Sequence, residues 1–104
     1  MTENESRLQQ ALKEHRWTER LLEGAVSHLA DLQRMHERNK PFARNAHYQR
    51  TIAAVERQLP RQAESVADLR IRLQGWAKVV GELRGAVSRE RMDAQLAAQR
   101  EART

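Results

Sequence analysis

Apolar positions in this chain recur at alternating steps of three and four. The first series runs Leu8, Ala11, His15, Thr18, Leu22, Ala25, Leu29, Leu32 and His36. That spacing is the heptad seam of a helix packed along one face. Leu12, Leu21 and Val26 widen the stripe, while Trp17 lies off it and is a candidate for a second interface. Ahead of the seam, Thr2 and Glu5 have capping-box spacing, and Glu3 and Glu5 suit the positive end of a helix. The pattern predicts a first helix over about 3–38, with Pro41 pushing Lys40 out of helical geometry and a turn at 39–43.

A second seam begins at Tyr48 and continues through Ile52, Val55, Leu59, Ala63, Val66, Leu69, Leu73, Trp76, Val80, Leu83 and Val87. It predicts a second helix over about 44–100, fraying from Asp93 onward. Pro60 lies inside it. Either the helix kinks there, or it breaks at 59–64 and restarts on a capping box of Ser65 and Asp68. A break would strand a short helix beside a much longer one, so the kink is the preferred expectation.

Folding the two seams together about Pro41 gives an all-α, antiparallel coiled-coil hairpin, a single domain over residues 1–104. In that register Leu29 faces Val55, Leu8 faces Trp76 and His36 faces His47. The first helix is then used up near residue 79 of its partner. Val80, Leu83, Val87, Met92 and Leu96 are left without a mate, which predicts either a homo-oligomer interface along them or a short third helix folding back. Gly81 and Gly85, four residues apart, would permit close helix approach in such an oligomer, although each weakens a helix by ~1 kcal/mol relative to alanine.

Composition agrees with long helices sharing a narrow seam: 32% of residues are charged and 4% aromatic, with four Gly and two Pro. The chain has no cysteine, which excludes disulfides, thiolate nucleophiles and cysteine-based zinc sites. The start, Met1-Thr2-Glu3-Asn4-Glu5, is acidic where a secretory signal would be basic. No apolar run exceeds the four residues Ile52 to Val55. The expectation is a cytoplasmic protein with no membrane partner.

Charge changes the picture more. Of a formal +5, residues 34–50 carry +4, from Arg34, Arg38, Lys40, Arg44 and Arg50 against the single acid Glu37. With Phe42, His47 and Tyr48, these residues form a candidate binding surface around the turn. Guanidinium forks suit carboxylates and phosphates, and an aromatic ring can stack on an unpaired base. The plainer alternative is a solvated turn whose two aromatics cap the seam. His36 and His47 supply too few ligands for a metal site, and no metal or other cofactor is expected. The polar seam residues His15 and Thr18 suit a role in fixing register. No phosphate loop, nucleophile elbow or carboxylate pair in an apolar setting is present, so an enzyme is not expected.

Trp17 in the first helix and Leu73-Gln74-Gly75-Trp76 late in the chain give it a resemblance to a spectrin repeat. The resemblance implies a three-helix bundle serving as spacer and docking surface. Pro60 departs from it, falling where such a repeat needs an unbroken middle helix, and the family is not assigned. The expected function is a non-enzymatic scaffold or adaptor that self-associates and binds an acidic protein or other macromolecular partner through its basic tip. The alternative is a sequence-nonspecific nucleic-acid-binding protein that contacts phosphate, such as a phage packaging or nucleoid accessory factor.

Overall fold

A computed structural model describes residues 1–103. Two long helices, α1 (Glu3–Asn39) and α2 (Ala46–Arg103), are joined through a 3-10 turn at Lys40–Phe42, and no strand occurs among the described residues. The helices pack against each other as an antiparallel hairpin. No helix among the described residues is long and apolar enough to cross a membrane.

Local chemistry explains the ends. Thr2 caps α1: its hydroxyl accepts the Glu5 amide at 3.2 Å, and its carbonyl accepts the Ser6 amide at 3.0 Å. Asn45 caps α2 in the same manner, its side chain accepting the His47 amide at 2.9 Å and its carbonyl the amides of Tyr48 and Gln49. Pro41 does not throw the chain into extended backbone. It sits in the first turn of the 3-10 segment, where its missing N–H costs nothing. Helical geometry therefore persists past Pro41, and the chain reverses only after Phe42.

α2 runs unbroken through Pro60. Pro60 is on the exposed face, so the carbonyl of Glu56, which loses its usual donor four residues on, can turn to water. Ser65 starts no new helix. Its hydroxyl donates back to the Arg61 carbonyl at 3.1 Å, as a serine inside a helix does. No third helix forms, and the three-helix arrangement implied by the spectrin resemblance is absent from the described residues.

The chain divides into two compact units, Thr18–Arg72 on the one hand and Met1–Trp17 with the segment from Leu73 onward on the other. In the first, Thr18, Leu32, Val55 and Val66 are buried, and Leu22, Ala25, Leu29, Leu59 and Leu69 are half-buried. Thr18 is 1% exposed, a hydroxyl inside the seam, and no buried side-chain polar atom among the described residues lacks a partner. In the second, Ala11, Val80 and Val87 are buried, with Leu8, Leu73, Trp76 and Leu83 half-buried.

Both units correct the expected register. In the first, His36 meets Glu56, nine positions beyond the His47 it was expected to face. Gln62 reaches across to donate to the Ala25 carbonyl at 2.9 Å, and it is half-buried where the seam was expected to carry Ala63, which is exposed. The level of Leu29 is thereby moved at least one helical turn along α2 from Val55. In the second, Thr2 and Asn4 both bond Glu90, Thr2 at 2.9 Å, so the turn carrying Leu8 runs beside Leu83 rather than Trp76. Relative to the expected pairing, the displacement is four residues at Ala25–Gln62 and nine at His36–Glu56 in the first unit, and nine to eleven at the Glu90 contacts in the second. Its cause is the 3-10 turn: every residue by which the pivot moves shifts the facing position by two.

The new register also corrects the apolar deficit. Val80 and Val87 are buried, and Leu83 half-buried, by packing within this chain. Val80 and Val87 therefore need no second copy to cover them, whereas Leu83 stays partly open. Met92 and Leu96 remain 61% and 47% exposed, beyond the start of α1.

Candidate functional site

The basic surface expected from the sequence is assembled where α1 ends and α2 begins. Arg34 and Arg38 occupy the last turns of α1, Lys40 and Phe42 the 3-10 segment, Arg44 the connection, and His47, Tyr48 and Arg50 the first turns of α2. Asn45, which sequence reasoning missed, organises the last group. By accepting the His47 amide it starts α2, and an asparagine just before a helical period was the available signal.

Two of the cations are already partnered within α1 and its extension. Arg34 pairs with Asp31 one turn back, and Lys40 lies 3.9 Å from Glu37. Both pairs are exposed and worth ~0–1 kcal/mol. Arg38, Arg44 and Arg50 are exposed and have no carboxylate within ion-pair reach among the described residues. A guanidinium fork of this kind matches the geometry of a carboxylate or phosphate.

The aromatics do something narrower than offer a platform. Phe42 and Tyr48 stack on each other, with centroids 4.9 Å apart and planes 24° from parallel. Their stack closes the reversal between the 3-10 turn and α2, with Phe42 half exposed on the outside. The His47 ring stands edge-on to Tyr48 at 5.3 Å. His47 and His36 therefore do not face each other. His36 Nε2 lies 3.1 Å from Glu56 Oε1, a link between the two helices at the base of the tip. No cluster of three or more His, Cys, Asp or Glu placed to hold a metal occurs among the described residues.

The other unit has a groove of about 490 Å³ between the start of α1 and the middle of α2. Trp76, Val79, Leu83 and Ala86 line its α2 wall, with Arg7 and Glu82 at its rim. Sequence reasoning assigned Leu83 to an interface but missed Val79 and Ala86. The signal was a second apolar step of seven, Val79 to Ala86, running beside the seam.

Compared with known proteins, the chain matches no family model, no curated protein and no solved structure.

Proposed function

We propose that this protein is a non-enzymatic helical adaptor that docks an acidic protein surface on the tip of its hairpin. The observation that carries this reading is the trio Arg38, Arg44 and Arg50, exposed and unpaired while their neighbours Arg34 and Lys40 have carboxylate partners. Each free guanidinium presents a fork matched to a carboxylate, and the cap made by Asn45 and the Phe42–Tyr48 stack holds the reversal that displays them.

Charge alone would serve a nucleic acid equally well, and that is the second reading. The Phe42–Tyr48 stack weighs against it. Rings that bind single-stranded bases offer them an open face, whereas here each ring covers one face of the other.

The test compares two variants of equal charge. In one, Arg38, Arg44 and Arg50 are changed to Ser; in the other, Arg84, Arg89 and Arg91 are. Binding of fluorescent poly-glutamate and of a labelled oligonucleotide, single-stranded and duplex, is measured at about 50 and about 200 mM salt. The adaptor reading predicts that the tip variant loses poly-glutamate affinity and the control variant keeps it. Equal losses in both would defeat a tip-specific site. Tighter binding of the oligonucleotide, with affinity falling steeply as salt rises, would replace the adaptor reading with the nucleic-acid one.

A further inference from the structure

Over residues 76–87, α2 carries more apolar surface than a two-helix seam can use. Val80 and Val87 face the core and are buried. Beside them Val79 and Ala86 form a parallel step of seven that points into the groove, Val79 being 36% exposed. Trp76 and Leu83, half-buried, bridge the two rows. A pair of helices needs two apolar positions per heptad; three mark a helix with neighbours on two sides, as in a multi-helix bundle. One neighbour is α1. No other described element covers the second side.

The surface area is large for the mass. The chain exposes 8261 Å², whereas a folded monomer of its mass is expected to expose roughly 6,000 Å². Two helices with a single seam bury less than a compact monomer does, and at the groove the uncovered part is the row Trp76, Val79, Leu83 and Ala86.

The rim says what fits. Arg7 stands on the α1 wall of the groove and Glu82 on the α2 wall. A two-fold axis running along the groove lays α1 of one copy over α2 of the other, so Arg7 of each copy meets Glu82 of its mate. The charges then complement each other twice, and every neighbouring helix pair is antiparallel, the favourable arrangement of helix dipoles. Arg7 is free to exchange for this pairing, because its partner within the chain is the exposed Glu3 one turn back.

We infer that the groove is a homodimer interface: a second copy of this chain docks on Trp76, Val79, Leu83 and Ala86, with reciprocal Arg7–Glu82 pairs at the rim, to make an antiparallel four-helix bundle. This inference is independent of the tip and lies in the other unit. It replaces the interface first expected along Val80, Leu83, Val87, Met92 and Leu96 with a neighbouring stripe that keeps only Leu83.

Sedimentation equilibrium of the full chain over a wide concentration range is the test, with circular dichroism on every variant. The wild type should dimerise. Val79→Glu, on an exposed position, should weaken the dimer by at least about tenfold while leaving helicity unchanged. Arg7→Glu and Glu82→Arg should each weaken it, and the double variant should restore it. In a Trp17→Phe background, where Trp76 is the only indole, emission should shift to the blue as the dimer forms. A wild type that stays monomeric at all concentrations overturns the inference. So does a dimer indifferent to Val79→Glu, or one in which the double charge swap rescues nothing. The Arg38, Arg44 and Arg50 variant should dimerise normally, so the two surfaces fail separately.

Discussion

The imidazole of His36 meets the carboxylate of Glu56 at 3.1 Å, twenty residues on in sequence and on the opposite helix. The contact is exposed on the glutamate side and adds little energy. It does mark which turns of α1 and α2 lie side by side at the base of the basic tip.

The buried seam carries the stability of the hairpin. Among the described residues, Leu32 is the one leucine that is buried, at 5% exposure. Leu32→Ala should cost about 2–5 kcal/mol in urea unfolding, as core truncations do. Ile71→Ala, on a position 66% exposed, should change stability by less than about 0.5 kcal/mol. Similar effects at the two sites would mean that the seam is not where the structure places it.

Pro60 works against its own helix. It removes one backbone hydrogen bond and crowds the Glu56 carbonyl, while α2 remains continuous around it. Pro60→Ala should therefore stabilise the hairpin by about 1–3 kcal/mol, less a fraction for the more flexible unfolded chain. The urea midpoint should rise with little change in slope. A lower midpoint would show that the bend at Pro60 is needed for the seams to meet.

The glycines of α2 need no empty space of their own. A Cβ at Gly81 would meet nothing within 4 Å, and at Gly85 only the Arg89 guanidinium at 3.6 Å, an ordinary contact. Gly81→Ala and Gly85→Ala should each raise stability by about 0.5–1 kcal/mol through helix propensity and reduced unfolded-state freedom. Thermal unfolding read by circular dichroism checks this. A fall in Tm would reveal a close helix approach at that stripe.

Thr18 is a hydroxyl sealed into the seam, 1% exposed. Thr18→Ala removes both its packing and its hydrogen bond, and about 1–3 kcal/mol should be lost. Thr18→Val keeps the volume, so the loss should be smaller. If both variants lose equally, the hydroxyl and not the packing sets the cost.

Much of the fold is readable from spacing alone. Leu8, Ala11, Leu22 and Leu29 on one side, and Val55, Leu59, Val66 and Leu69 on the other, announce two helices meeting along a seam. Thr2 and Glu5 announce where the first begins, and the cluster from Arg34 to Arg50 announces the basic tip. The register was not legible, for a physical reason. A heptad pattern fits its partner nearly as well after a slide of one repeat, so only the turn can choose between slides. That choice lay in the 3-10 winding of Lys40–Phe42 and the cap at Asn45, where Pro41 suggested an earlier reversal. The groove was missed for a related reason, because Val79 and Ala86 acquire meaning only once Val80 and Val87 are known to be covered.

Register is therefore what a direct measurement should address first. The chain has no cysteine, so pairs can be introduced cleanly and joined with a short thiol-specific cross-linker at low protein concentration. His36→Cys with Glu56→Cys, and Asn4→Cys with Glu90→Cys, should link efficiently within one chain, while His36→Cys with His47→Cys should link poorly. Efficient linking of 36 to 47, with none between 36 and 56, would contradict the hairpin described above.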